Sequence, residues 1–296
     1  MIHTVGMVGL GLMGTAMYSN LLPAGFQVIG YDVLPEKVAA LGAAGGKAAG
    51  SAAEVAGSVD LLISSLPHGG IVEEAMLGPG GVAEGGRPGL AVIETSTVAP
   101  ETARRVAKAL GQRGIVMLDA TVSGISHMVA RRDCIFMVGG DRAVFDRCRP
   151  IWDALARQAF YLGAGGAGAQ MKLIANLITG VNSVVVAEGL ALGMKAGLDP
   201  AVMLEVLRQS AAASRMVDIR GQFMVDRKYE PPVATVETFI KDASLMLENG
   251  RQLGVPLPFT ETMDRMLRAA RDDGHGGREV ASVIETYCRL GGIKRK

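Results

Sequence analysis

Close to the start of the chain stand Gly9, Gly11 and Gly14, in the stretch Val8-Gly9-Leu10-Gly11-Leu12-Met13-Gly14. A chain with 40 glycines produces such spacings by chance, so the neighbours decide what this one means. An apolar run, Val5–Val8, precedes it, a helix-compatible segment, Met13–Leu22, follows it, and a second apolar run ends in Asp32. A strand, a glycine turn, a helix and a second strand ending in an acid about 20 residues past the glycines form a dinucleotide-binding unit. In such a unit Gly9 permits the tight turn, Gly11 lets the backbone approach a pyrophosphate, and Gly14 lets helix and strand pack closely. The phosphates meet the free N–H groups and positive end of the helix, where Leu12 and Met13 stand. Asp32 accepts hydrogen bonds from the adenosine ribose hydroxyls and repels a 2′-phosphate, which selects NAD over NADP. The competing reading is a packing turn followed by an ordinary surface aspartate.

Far along the chain, Lys172 and Asn176 lie four residues apart at the start of a long apolar run, and so on one helical face; Gly180 continues that face. Oxidising an alcohol with NAD removes a hydride from carbon and a proton from oxygen. The proton needs a positioned base, and an acid in the reverse direction. A lysine serves if its pKa is drawn towards neutrality, and burial is one way to draw it there. Lys172 stands just past a change in sequence character that reads as a domain junction, and clefts between domains commonly hold ligands. Taken alone, it reads more readily as a snorkelling surface lysine beside the linker.

The elements that must position these residues follow two patterns. Up to about Gly163, short apolar runs alternate with helix-compatible stretches such as Glu36–Leu41 and Glu101–Leu110. The runs are Val5–Val8, Gln27–Tyr31, Leu61–Ser65, Leu90–Glu94, Val116–Leu118 and Cys134–Val138. This pattern predicts a parallel sheet covered on both faces. After Gly163 helical periodicity takes over. Asp199-Pro200 reads as an N-cap with proline at the first helical position, followed by Val202, Val206 and Leu207 on one face, and Gly254–Pro258 reads as a break between helices. The expectation is an α/β fold: a Rossmann-type doubly wound domain over residues 1–163, then an all-helical domain over 164–296 that begins with a long interdomain helix. The run Leu173–Met194 has the length of a membrane span. Lys172, Asn176, Asn182 and Glu188 would put polar groups along it, so it reads as a buried helix, with no membrane partner.

Thirty basic against 29 acidic residues give a net charge of +1, which argues against a nucleic-acid partner. The basic end, Lys294-Arg295-Lys296, reads as a solvated tail. Cys134, Cys148 and Cys288 are few, scattered and odd in number, which fits a reducing cytoplasm and no disulfide framework. The histidines lack metal-ligand spacing, so no metal site is expected; His68 and His127 each follow a motif block. Apolar residues of the helical domain, including Leu173, Leu177 and Val184–Val186, suggest a homodimer or homotetramer.

Five blocks, in order, resemble the β-hydroxyacid dehydrogenase family, the group of 3-hydroxyisobutyrate and tartronate semialdehyde enzymes. "GLGLMGTAM", Gly9–Met17, matches GxGxMGxxM; "ETSTVAPET", Glu94–Thr102, resembles DxSTxxPxT; "DATVSGI", Asp119–Ile125, resembles DAPVSGG; "GAGAQMKLIAN", Gly166–Asn176, matches GxGxxxKxxxN; and "KDA", Lys241–Ala243, resembles a late KDL. The resemblance implies an NAD-dependent dehydrogenase acting on a small β-hydroxy acid, with Lys172 as the catalytic acid/base and Asn176 beside it. It implies that Leu66 and Pro67 line the nicotinamide half of the cofactor, that Thr97 contacts the nicotinamide ribose region, and that Lys241 reaches the cofactor. It also implies that Ser123 and Gly124 cradle the substrate carboxylate.

The chain departs from the family at several positions. Glu94 replaces an aspartate, Thr121 a proline and Ile125 a glycine, while Gly277 and Arg278 stand where acids follow "GHG". A side chain at Ile125 crowds or reshapes the carboxylate cradle. Arg131 and Arg132 stand nearby, though a solvated face is their simpler reading. Two alternatives are kept: a reductase of aldehyde acids or imines on the same scaffold, and a cofactor-binding protein without catalysis. Imine reductases of this build usually lack the lysine, so Lys172 argues against them.

Overall fold

The computed structural model describes residues 2–294, so Arg295 and Lys296 of the basic tail lie outside the described residues. The chain divides into two compact units, with the division between Lys172 and Leu173. The sequence reading places a boundary at 163/164. The division lies later because the first turn of the long helix is fastened to the sheet by the bonds described below.

Eight strands form one sheet: β1 (Thr4–Val8), β2 (Gln27–Tyr31), β3 (Lys47–Ala48), β4 (Leu61–Ser64), β5 (Ala91–Glu94), β6 (Val116–Ser123), β7 (Ile135–Gly139) and β8 (Gln158–Gly163). Their order is β3-β2-β1-β4-β5-β6-β7-β8. All neighbours are parallel except β6 and β7. The order reverses at β1, which lies between β2 and β4, so the ends of β1 and β4 form the crevice where open α/β sheets take ligands. β7 runs against β6 because the link between Ser123 and Ile135, with one short helix, is too short for a parallel crossover.

The inner strands are apolar on both faces. Val5, Met7, Ile63 and Ile93 join one core cluster, while Val8, Leu62 and Val92 join another on the opposite face. Sequence reasoning passes over two strands. β3 has two residues, and β8 alternates between exposed and half-buried positions. β3 is too short to show a run, whereas β8 carries the apolar run Ala159–Leu162, which sequence reasoning missed.

The second unit is helical and has its own core. Its first element, the helix Ala167–Lys195, is long and apolar enough by length and composition to cross a membrane. Leu173, Val184, Val186, Ala187 and Leu190 are buried in the unit's core, however, and Leu177 packs against it. The apolar surface expected at Leu173, Leu177, Val184 and Val186 is therefore largely interior. The exposed stripe of this helix is Ile174, Ile178, Val185 and Leu192, with Leu192 74% exposed.

Asp199 caps the helix Pro200–Gln209, accepting bonds from the Ala201 and Val202 amides at 2.8 and 3.1 Å. Its buried residue is Leu204, and Leu207 packs against the core, whereas Val202 and Val206 are exposed. The expected apolar face is thus rotated, because packing selected the larger leucine. The helix Val236–Leu253 ends on a left-handed Gly254, and Pro258 opens the next one.

Candidate active site

The glycine turn after β1 leads into the helix Leu12–Leu21, with Gly11 as N-cap. Gly9 has φ +89°, and a Cβ there would lie 2.2 Å from the Ser65 carbonyl oxygen. A Cβ on Gly14 would lie 2.1 Å from the Gly9 carbonyl oxygen. A Cβ on Gly11 would meet nothing within 4 Å. Two glycines are therefore required by the packing of the turn, while the third faces open space. No side chain caps this helix and no acid occupies its first turn, so its N–H groups and dipole are available to an anion. These residues fit the pyrophosphate of a dinucleotide. Leu12 is 80% exposed beside the turn, whereas the Met13 side chain packs against the core, leaving only its backbone at the helix start.

Asp32 follows the end of β2 and ties the turn down. Its Oδ2 accepts from the Leu10 amide at 2.7 Å and its Oδ1 from the Leu34 amide at 2.9 Å. The residues after it, Val33 and Leu34, are exposed and uncharged. The aspartate thus organises the same loop whose ligand it would bind.

The turns after β4 and β5 are stitched together. The Thr95 amide and hydroxyl both donate to the Ser64 carbonyl, at 2.9 and 2.7 Å. The Leu66 amide donates to Ser96 Oγ at 2.8 Å, and Ser96 donates from both its hydroxyl and its amide to Glu94 Oε1. Glu94 is fully buried, and burial pushes its carboxyl up to about 7. Of the residues expected at the cofactor here, Leu66 packs partly on the core, Pro67 is exposed, and Thr97 is half-buried.

β6 carries the next group. Asp119 is buried, and its carboxylate accepts from the Gly166 amide at 2.7 Å and the Ala169 amide at 2.8 Å. Burial raises its pKa, and those amide bonds oppose the rise. Thr121, the residue in place of proline, donates to the Gly168 carbonyl at 2.9 Å. Asp119 and Thr121 therefore fasten the start of the long helix to β6. One turn further along that helix, Lys172 Nζ donates to the Val122 carbonyl at 2.7 Å. Val122 immediately precedes Ser123 and Gly124, so the lysine sits against the strand end that forms the expected carboxylate cradle. Gly124 has φ +148°, and a Cβ there would lie 2.9 Å from the Cys134 Cβ. Ile125 is half-buried and is the N-cap of the short helix Ser126–Ala130, its carbonyl accepting from the Met128 and Val129 amides. Arg131, Arg132 and His127 are exposed, as is His68 at the head of the helix Gly69–Leu77.

In the second unit, Asn176 Nδ2 donates to Asp242 Oδ2 at 2.7 Å, and Lys241 Nζ lies 3.3 Å from Asp242 Oδ1. The buried Asp242 thus joins Asn176 and Lys241. Because a carboxylate only accepts, the Asn176 amide is oriented with its Oδ1 directed away from Asp242. A little further on, Glu279 supplies a buried acid just past Gly277 and Arg278. It accepts from the Val233 and Ala234 amides, both at 2.8 Å, and faces Arg220 at 3.3 Å.

Sequence reasoning undervalued three of these residues. Asp119, Glu94 and Asp242 appear in it only as block members. For Asp119 and Glu94 the available signal was an acid ending an apolar run, which has to find a partner once buried; Asp242 lies within a helix and gave no such signal.

The fold, the open helix start and the glycine turn define a dinucleotide-binding protein. The family described as the NAD binding domain of 6-phosphogluconate dehydrogenase matches residues 4–163. The family described as NAD-binding of NADP-dependent 3-hydroxyisobutyrate dehydrogenase matches residues 166–287. The chain is 33% identical to 2-(hydroxymethyl)glutarate dehydrogenase of Eubacterium barkeri, over 98% of this chain and 96% of that protein. It is 32% identical to L-threonate dehydrogenase of Cupriavidus necator, over 97% of each. A crystal structure of 3-hydroxyisobutyrate dehydrogenase from Salmonella typhimurium superposes with a TM-score of 0.85 at 35% identity, over 96% of this chain and 99% of that one. The chain belongs to the β-hydroxyacid dehydrogenase family.

Proposed function

We propose that this chain uses NAD to oxidise the hydroxyl of a small β-hydroxy acid, of the 3-hydroxyisobutyrate kind, to a semialdehyde or ketone. The observation that carries this reading is Lys172 Nζ held 2.7 Å from the Val122 carbonyl, next to Ser123 and Gly124. In this reading the amine is the proton-transferring group, and the Ser123 hydroxyl and glycine turn that follow Val122 in the chain suit a carboxylate. Bound on the glycine turn, the cofactor supplies the hydride acceptor. Lys172, as the free amine, takes the hydroxyl proton and returns it in the reverse direction. Asn176, with its amide fixed by Asp242, offers Oδ1 to the substrate hydroxyl or to the lysine. Ser123 and the backbone around Gly124 hold the carboxylate.

The cofactor contacts in this reading are Gly9, Gly11, Leu12, Met13 and Gly14 at the pyrophosphate. Asp32 takes the adenosine ribose, Leu66, Pro67 and Thr97 line the nicotinamide half, and Lys241 adds a further contact. The uncharged Val33 and Leu34 beside Asp32 offer a 2′-phosphate no partner, which supports NAD over NADP. The related dehydrogenases differ in substrate, so the acid is identified by an NAD-coupled screen of C3–C6 hydroxy acids and sugar acids. Three buried, scattered cysteines fit a cytoplasmic location. The exposed stripe Ile174, Ile178, Val185 and Leu192 supports a homodimer or homotetramer.

Lys172→Ala is expected to lower kcat by about 10²- to 10⁴-fold while leaving NADH affinity close to wild type. A variant with near-wild-type kcat would remove Lys172 from the reaction.

A further inference from the structure

We propose that Glu94 is a positioning residue for the nicotinamide end of the cofactor: as a carboxylate it holds Ser96, Ser96 holds the Leu66 amide, and loss of the charge loosens both turns together. This rests on the assignment of Leu66, Pro67 and Thr97 to the cofactor.

The geometry is a relay that ends on one atom. The Leu66 amide donates to Ser96 Oγ at 2.8 Å; the Ser96 hydroxyl, its amide at 3.0 Å and Ser64 Oγ at 3.5 Å all converge on Glu94 Oε1. Leu66 leads the turn after β4, and Ser96 the turn after β5. A single buried acceptor therefore sets the spacing between the two. The family block carries aspartate here; the extra methylene of Glu94 extends the acceptor from the end of β5 to Ser96 on its own loop and Ser64 on β4.

The groups around the carboxyl are few. β4 offers Ser64. β6 offers Asp119, the register partner of Glu94. The helix Pro100–Gly111 turns Pro100, Ala103, Val106 and Leu110 inwards, and its charged residues Glu101, Arg104, Arg105 and Lys108 are not among the buried ones. The helix Gly69–Leu77 buries Val72 and Met76 and is headed by the exposed His68. Burial and the negative Asp119 both favour the protonated form of Glu94, and the bonds from Ser96 and Ser64 favour the ionised one. The balance lies near neutrality, so a modest change of pH switches the acceptor between a strong charge-assisted state and a weaker neutral one.

The test measures NADH binding by its fluorescence between about pH 6 and pH 8.5, with no substrate and no turnover. Wild-type Kd is expected to rise about five-fold from the alkaline to the acid end. Glu94→Gln and Ser96→Ala are each expected to bind more weakly at pH 8.5 and to lose most of the pH dependence. Glu94→Asp, which restores the family residue and the charge, keeps a pH dependence. A flat wild-type profile overturns the proposal without recourse to any variant. So does a Glu94→Gln profile that parallels wild type, because the titrating group is then another. The underlying assignment fails separately: Leu66→Gly leaves NADH affinity at pH 8.5 unaltered if that turn does not line the cofactor.

Discussion

Asp32 and Glu94 are both acids at strand ends, and their surroundings give them opposite tasks. Asp32 stays partly exposed, accepts two loop amides and is the acid proposed for the adenosine end. Removing that charge with Asp32→Asn is expected to improve the NADP-to-NAD ratio of kcat/KM by about tenfold, chiefly by relieving repulsion of the 2′-phosphate. An unchanged ratio contradicts the assignment. Glu94 is buried and holds its proton up to about 7, far above the ordinary glutamate value. Between the ordinary value and about 7 the folded chain binds this proton and the unfolded chain does not. Glu94 therefore removes stability as pH rises through that window, by about 3 kcal/mol in total. Glu94→Gln has no such slope. Urea unfolding of both proteins at several pH values should show the stability difference moving towards the variant between about pH 4.5 and pH 7. A difference that stays constant with pH contradicts a carboxyl whose burial outweighs its hydrogen bonds.

At the scale of elements, the central event is the fastening of the Ala167–Lys195 helix to β6. Asp119 accepts two amides at the helix start and Thr121 bonds the Gly168 carbonyl. Replacing the family proline by threonine thus adds a tie that proline cannot make. Thr121→Val keeps the shape and removes the bond, and is expected to lower stability by about 1 kcal/mol. Asp119→Asn leaves one of the two amides facing a donor and the other with only a neutral acceptor, with an expected loss of about 2 kcal/mol and reduced kcat if Lys172 acts as proposed, because the turn that carries it is no longer held in place. Chemical unfolding alongside steady-state kinetics separates the two effects; a variant with full stability and full kcat would show that the tie does not matter.

At the scale of the whole molecule, each unit carries its own core and its own buried polar centre. In the helical unit that centre is Arg220 with Glu279, 3.3 Å apart, with Arg220 also bonded to Ser183 and stacked over Phe239 at 4.8 Å. Glu279→Ala strands a buried guanidinium and two amides, and is expected to destabilise this unit by about 3–5 kcal/mol. The exposed stripe on the long helix predicts self-association. Leu192→Glu with Ile178→Glu should lower the mass measured by light scattering, whereas a monomeric wild-type protein would remove that proposal.

The sequence by itself determined the class of fold and the residues proposed for the chemistry. Apolar runs, the glycine turn, Asp32 and the Lys172–Asn176 spacing are local patterns, and local patterns follow from the chain's own periodicity and turn stereochemistry. Tertiary structure decided what those residues touch. That β7 runs antiparallel, that the valines at 202 and 206 face solvent, and that Leu173 is interior while Ile174 is not all depend on which neighbour fills each face. Glu94, Asp119 and Asp242 depend on it most. An acid's role is set by the donors that reach it once water is excluded, and several of those donors, Ser64 for Glu94, Gly166 for Asp119 and Asn176 for Asp242, come from residues tens of positions away.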